Sequence, residues 1–192
     1  MAIQIGTTSP HFSDPIGLLS DCHRRVEMFL GSLRAIGDTC DILLNDEGLR
    51  ALENALRYFR QAAPKHTADE EVSLFPRLRQ CSSLPNSTLA LIERLERDHT
   101  WADPLHALLE ELGALWIADR RLSAKQRQEF RKAAAQLQAM YSEHIELEDS
   151  VLFPAANQML SAEEKREIGL EMAARRNVAP VVDVVFGQER RA

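Results

Sequence analysis

The size, composition and charge of the 192-residue chain exclude several broad classes of protein. A formal net charge of −6 disfavours general nucleic-acid binding, because that function needs a basic surface. No apolar run approaches the roughly 20 residues of a membrane span, and the first residues do not resemble a signal peptide. The odd number of widely spaced cysteines fits neither a disulfide framework nor a cysteine-type zinc site. We therefore expect one cytoplasmic domain.

Hydrophobic periodicity predicts two helical segments in the first half of the chain. An apolar stripe with spacings of three and four residues begins near Pro15 and continues to about Ile36. A second segment spans about residues 47–79. Pro64 and Pro76 lie inside it, and each removes a backbone donor, so we expect a bend or a local break at each proline.

The second half of the chain repeats this organisation. A third helix is predicted over about residues 88–118, with a kink at Pro104. A fourth helix begins at a capping box formed by Ser123 and Gln126 and continues to about Leu160.

These elements predict an all-α fold. Four long amphipathic helices with short connections favour an up-down-up-down four-helix bundle over residues 14–160. Residues 1–13 precede the bundle as an N-terminal arm. Residues 161–192 are predicted to form a short fifth helix, opened by a second capping box at Ser161 and Glu164, and an extended tail.

One motif occurs twice, once in each half of the chain. The pattern His-x-x-x-Glu-x-x-x-Leu-Phe-Pro covers residues 66–76 and again residues 144–154. Two further histidines, His23 and His99, precede the two copies by nearly equal lengths of chain. Since a helix rises about 1.5 Å per residue, two such helical hairpins bring four histidines to the same height in the bundle.

The repeated residues predict a metal site. All four histidines fall on apolar helix faces, and each motif glutamate follows its histidine by four residues, so the pair shares one face. A buried carboxylate needs a metal or a charged partner. Imidazole and carboxylate ligands suit iron, manganese or zinc, and two carboxylates favour two metals. The predicted metal ligands are His23, His66, Glu70, His99, His144 and Glu148.

Several neighbouring residues have more than one interpretation. Glu27 and Asp103 follow the two leading histidines by four residues; each can be a ligand, a partner that orients an imidazole, or simply solvated, and solvation is the default. Tyr141 is interpreted as lining the core, with a hydrogen bond near the metals as the alternative. Glu71 is predicted to point away to the surface, and His106 to lie about two turns from the site.

The motifs resemble those of the hemerythrin-like, HHE cation-binding domains over roughly residues 14–160. The resemblance implies a four-helix bundle with two iron ions joined by an oxo or hydroxo bridge. It also implies that each iron has two histidines and that both glutamates are shared between the irons. The implied groups are His23 with His66, His99 with His144, and the shared pair Glu70 and Glu148.

The sequence departs from the oxygen-carrying hemerythrins at two places. Those proteins have a second histidine four residues after the first on the third helix, where this chain has Asp103. Their last helix has a His-x-x-x-x-Asp pattern, whereas this chain has His144-x-x-x-Glu148. The set is more similar to the bacterial branch that includes iron-sulfur-cluster repair proteins, although this chain shows no paired N-terminal cysteines.

The leading interpretation is a cytoplasmic di-iron protein that binds or senses O2, NO or peroxide. One alternative is an enzyme-like role in peroxide or NO detoxification, or in iron donation for iron-sulfur cluster repair. Another alternative is a bundle held together by structural zinc. No nucleic-acid or membrane partner is expected, and the sequence leaves open the oligomeric state and whether the protein is an enzyme.

Overall fold

The structure, a computed structural model, describes residues 11–39 and 43–178. Within these ranges every regular element is helical, so the predicted all-α class is confirmed. None of the described helices combines the length and the apolarity needed to cross a membrane. The elements are α1 (Pro15–Asp38), α2 (Asp46–Gln61), α3 (Ala63–Ala68), a first π-helical segment (Asp69–Leu74), α4 (Phe75–Gln80), α5 (Asn86–Asp119), α6 (Ala124–Leu147), a second π-helical segment (Glu148–Leu152), α7 (Phe153–Met159) and α8 (Ala162–Arg175).

Capping interactions begin three of these helices where the sequence predicts them. The Asp14 side chain accepts a hydrogen bond from the backbone of α1, and the first residue of α1 is a proline, which has no N–H to satisfy. Both predicted capping boxes are present. Ser123 and Gln126 exchange hydrogen bonds at the start of α6, as do Ser161 and Glu164 at the start of α8.

The prolines have different effects on the helices that contain them. Pro64 lies in the first turn of α3, directly after the break that separates α3 from α2, as predicted. Pro76 lies in the first turn of α4, where the helical path continues out of the first π segment. Pro104 lies inside α5, which runs without a break from one end to the other. At Pro64 the missing N–H lies in a first turn, where it has no intrahelical partner to lose.

The two π segments occupy corresponding places in the two copies of the motif. The N–H of Phe75 donates to the carbonyl of Glu70, and the N–H of Phe153 donates to the carbonyl of Glu148, so each bond spans five residues instead of four. Each segment ends directly before a Phe-Pro pair, whose proline removes a backbone donor from the next turn. The sequence analysis did not predict these segments.

Four long helices enclose the polar residues of the motif. Helix α1 packs against α2 and α6, and α5 packs against the same two helices, which closes a bundle. The alternating up-and-down direction of the four stays a prediction. One apolar cluster, which includes Leu30, Leu52 and Phe130, lies on one side of the motif histidines. A second cluster, which includes Phe75 and Phe153, lies on the other side.

Helix α8 covers the second apolar cluster. Ile168 and Met172 are fully buried against it. A Cβ atom at Gly169 would lie 1.8 Å from the carbonyl oxygen of Phe12, so the absence of a side chain allows this close approach. The predicted arm and extended tail fall almost entirely outside the described residues.

Candidate metal centre

The structure brings all six residues of the predicted ligand set into one buried layer between the two apolar clusters. Both glutamates are completely buried, and each of the four histidines is at most 7% exposed. Six different elements supply them, two of which are the π segments. The six are His23 from α1, His66 from α3, Glu70 from the first π segment, His99 from α5, His144 from α6 and Glu148 from the second π segment.

The first histidine pair consists of His23 and His66, whose ring centroids are 5.0 Å apart. Nε2 of His66 lies 3.2 Å from Oε1 of Glu70, and Nε2 of His23 lies 3.9 Å from the same oxygen. One ligand atom from each of these residues and from Glu148 all lie within 4.8 Å of one another. Four donors at this separation can share one metal ion.

The second histidine pair consists of His99 and His144, with ring centroids 4.7 Å apart. Nε2 of His99 lies 3.6 Å from Oε2 of Glu70, so the two oxygens of Glu70 face different histidine pairs. Oε2 of Glu148 lies 3.3 Å from Nε2 of His144 and 3.1 Å from Nε2 of His23. Each carboxylate therefore lies between the two pairs.

These close distances do not produce hydrogen bonds. Both oxygens of Glu70 and of Glu148, together with Nε2 of His23, are buried without a hydrogen-bond partner. The Nε2 atoms of the four histidines and the carboxylate oxygens face a common space, but they are not aligned for hydrogen bonds with each other. A buried carboxylate without donors is strongly unfavourable, and a cation at this position would satisfy all of these atoms. The residues present thus fit a metal ion.

Outer carboxylates orient one histidine of each pair. Nδ1 of His23 donates to Oδ1 of Asp149 at 3.0 Å, and Nδ1 of His99 donates to Oε1 of Glu71 at 2.8 Å. A carboxylate only accepts, so in each ring Nδ1 carries a proton and Nε2 faces the buried layer. This is the usual arrangement of metal-binding histidines, in which a carboxylate fixes the tautomer and the ring orientation. Ser20 donates in turn to Asp149 at 2.7 Å.

The sequence analysis missed both outer carboxylates. Glu71 was expected at the surface, and its side chain is indeed 35% exposed, but it also reaches back to His99. A repeat signal was available, because an acidic residue directly follows each motif glutamate, Glu71 in one copy and Asp149 in the other. The two acids do not touch the histidine of their own motif. Each contacts a histidine of a neighbouring helix, which the spacing along one helix does not reveal.

The three remaining candidate residues, Glu27, Asp103 and Tyr141, do not all lie at the site. Glu27 and Asp103 are both solvent-exposed, which agrees with their default interpretation. Tyr141 lies at the site, where its ring packs edge-on against His144 with centroids 5.8 Å apart. Its hydroxyl shares a hydrogen bond of 3.1 Å with Nε2 of His106.

A small cavity adjoins the layer on the side of Tyr141. Its volume of about 10 Å³ is room for roughly one water-sized molecule. Most of the other lining is apolar and limits entry of bulk water. The lining residues are the four histidines together with Val26, Phe59, Ala63, Thr67, Tyr141 and Ile145.

The ionisable groups of the layer influence one another strongly. Burial, and to a lesser degree the charge on His23, lower the pKa of His66 to about 3, so its imidazole is neutral at pH 7. Burial opposes charge on His23 as well, but the carboxylates of Glu148 and Glu70 outweigh it and raise its pKa to about 10. Burial and the adjacent Glu148 raise the pKa of Glu70 to about 7. Burial alone would also raise the pKa of Glu148, but the adjacent His144 and His23 keep this pKa below its usual range. In the metal-free protein, a proton on His23 therefore takes part of the place of a cation.

A helical bundle that buries converging histidine and glutamate ligands defines a metal-binding protein. Comparison with known proteins gives the same class. The chain belongs to the hemerythrin HHE cation-binding domain family, whose model matches residues 14–156. This confirms the resemblance inferred from the doubled motif. The chain is also 34% identical over 175 residues to a protein of Haemophilus influenzae (strain ATCC 51907 / DSM 11121 / KW20 / Rd), a match that covers 87% of this chain and 92% of the relative. That relative is described only as an uncharacterized protein.

Replacing a buried carboxylate of the layer should weaken metal binding. Glu148→Gln keeps the shape of the side chain but removes its negative charge, so we expect the affinity for added Fe(II) or Zn(II) to fall at least about tenfold. Titration of metal-free protein in competition with a chromogenic chelator measures this affinity. Glu146→Gln on the exposed face of α6, directly before the π segment, is the matched control. Equal affinities of the two variants would contradict a role for Glu148 as a ligand.

Metal binding should release protons and weaken at low pH. Because the pKa of His23 is raised to about 10, this imidazole is protonated at pH 7 in the metal-free site, and a metal can bind its Nε2 only after that proton leaves. Addition of Zn(II) to weakly buffered protein at pH 7 should therefore acidify an indicator dye, and the affinity should fall steadily from pH 8 to pH 6. An affinity that stays constant over this range would show that no proton is displaced.

Proposed function

We propose that the protein is a cytoplasmic, non-haem di-iron protein that binds or senses a small ligand, namely O2, NO or peroxide. The observation that carries this proposal is the layer of two histidine pairs with two shared carboxylates beside a cavity of one-molecule size. The cytoplasmic location is supported by the free thiols of Cys22 and Cys81, which a reducing compartment preserves.

The positions of the ligands favour two metals over one. His23 and His66 would hold one iron and His99 and His144 the other, since the rings of each pair are about 5 Å apart. Glu70 and Glu148 would join the two irons, because each carboxylate faces both pairs. Imidazole and carboxylate together suit iron, and manganese or zinc are the alternatives.

Bound iron would supply redox chemistry and open coordination positions for a small ligand, because two imidazoles and two shared carboxylates leave its coordination incomplete. The side chains of Phe59, Val26 and Ile145 would keep the adjoining cavity largely dry. The volume of the cavity, about 10 Å³, supports a ligand no larger than a diatomic molecule or one of similar size. The small cavity also disfavours larger organic substrates.

A second candidate function is enzyme-like turnover of peroxide or NO. The observation in its favour is the hydrogen bond between Tyr141, which lines the cavity, and His106, which lies behind it. Burial lowers the pKa of His106 to about 4, so this imidazole is neutral at pH 7, and burial raises the pKa of Tyr141, so its hydroxyl keeps its proton. Nε2–H of His106 could donate to the tyrosine oxygen, which would leave the phenolic O–H to donate a hydrogen bond to a ligand at the edge of the cavity.

The metal content and the optical spectrum of the purified protein test the leading proposal. Protein loaded with Fe(II) under anaerobic conditions should contain two irons per chain and should develop new visible absorption bands when O2, NO or peroxide is added. His66→Ala should abolish these bands. A colourless protein that holds zinc and unfolds on chelation would instead favour a structural bundle. Continuous consumption of peroxide over many turnovers would favour the enzyme-like role, and iron transfer to an apo-cluster acceptor would favour iron donation.

The cavity offers a test that leaves the metal ligands intact. Ala63→Leu fills the cavity, so ligand-induced bands should form more slowly or with lower affinity at unchanged iron content. Ala62→Leu is the matched control, because the neighbouring alanine lines a different surface pocket. Stopped-flow absorbance after mixing with O2 or azide measures the rate. Equal rates in both variants would place ligand binding elsewhere.

A further inference from the structure

Helix α8 is attached to the first π segment by ion pairs between two partly exposed arginines and one buried carboxylate. Asp69, the residue directly before Glu70, is completely buried. Two consecutive arginines at the end of α8 hold its carboxylate: Nη1 of Arg175 lies 2.7 Å from Oδ1, and Nη2 of Arg176 lies 2.6 Å from Oδ2. Each oxygen of Asp69 is thus bound by its own guanidinium group.

The attachment continues one turn later along the π segment. Ser73 is also completely buried. Its hydroxyl accepts a hydrogen bond from Nη2 of Arg175 at 2.6 Å and donates to the carboxylate of Glu171. Arg77 holds the same carboxylate at 2.8 Å. These interactions make α8 contact the π segment through charged and polar groups on consecutive turns.

The second copy of the motif lacks the residues that make this attachment. The 78-residue repeat places Leu147 at the position of Asp69 and Val151 at the position of Ser73. Val151 is 46% exposed, in contrast to the fully buried Ser73. Neither aliphatic side chain can accept from a guanidinium group, so the polar attachment is specific to the first π segment.

The attachment acts on the backbone that carries two residues of the metal centre. A π segment has fewer stabilising backbone bonds than an α-helix of the same length, so its conformation depends on its neighbours. Asp69 is one peptide unit from Glu70 and two from Glu71, the acceptor for His99. Because a buried carboxylate that loses its guanidinium partner is strongly destabilised, the backbone at Asp69 has little freedom to shift.

We propose that Asp69, Arg175 and Arg176 form a latch that positions Glu70 and Glu71, so that α8 sets the metal affinity of the centre. This inference rests on the proposed metal-binding function. The latch residues do not contact the metals; they act through the π segment that carries a shared carboxylate and the partner of His99. The corresponding segment with Glu148 and Asp149 is held without such a latch.

Two measurements test the latch together: the metal affinity, and the local protection of backbone amides from hydrogen exchange. In Asp69→Asn the affinity for Zn(II), measured by chelator competition, should fall about tenfold. Asp46→Asn, which removes one partner of an exposed ion pair, should leave it unchanged. Arg176→Ala should weaken binding like Asp69→Asn, and the double variant should be little worse than either single one. Arg166→Ala on the exposed face of α8 is the control for the arginine.

Hydrogen exchange separates positioning from general loss of stability. In metal-free Asp69→Asn the amides of residues 69–74 should exchange faster, while those of residues 148–152 should keep their protection. Equal acceleration in both segments, or unchanged Zn(II) affinity, would overturn the latch. If Asp69→Asn does not fold, Glu171→Gln, at the partly exposed end of the network, should show the same selective change to a smaller extent. A wild-type chain that binds no metal would refute the proposed function, whereas the exchange pattern would still decide whether α8 holds this segment.

Discussion

The structure depends on two carboxylates that are completely buried and have no hydrogen-bond donors. Glu70 and Glu148 in such surroundings would destabilise the fold by several kcal/mol unless a positive charge lies between them. The four imidazoles around them provide ligands for that charge, and in its absence a proton on His23 takes part of its place. Folding and metal binding are therefore coupled: the bundle buries a group that only a cation fully compensates.

Much of the architecture follows from this one requirement. The two apolar clusters lie on either side of the polar layer and keep it from water. The outer carboxylates Asp149 and Glu71 are partly exposed, so they can hold a histidine proton without the cost of full burial. Two acids thus flank the buried layer and orient one imidazole of each histidine pair, and their charge is partly exposed to solvent.

The sequence places the six candidate ligands on helix faces that the structure brings into one layer, but it does not predict what surrounds them. Periodicity placed all four histidines on apolar faces, and the doubled motif paired each of two histidines with a glutamate on the same helix face, which depends only on local helical geometry. The partners of Asp69 are Arg175 and Arg176, more than 100 positions further along the chain, and no local pattern predicts such a pairing. Asp149 and Glu71 were missed for the same reason, since each bonds to a histidine of another helix. The π segments were missed because a changed backbone bond leaves no residue signature beyond the proline that follows.

The π segments have a consequence for how this fold tolerates changes in length. A bond that spans five residues accommodates one extra residue in the turn, so the residues after it are rotated by about 100° from the positions they would have in an uninterrupted α-helix. His66 and Glu70 share one rotational phase, which turns them into the polar layer, while Leu74 and Phe75 adopt another, which turns them into the second apolar cluster. Each motif helix is in effect two helices whose phases differ by one residue and which join at the glutamate. Removal of that extra residue from either half would turn the apolar residues after the glutamate away from the core.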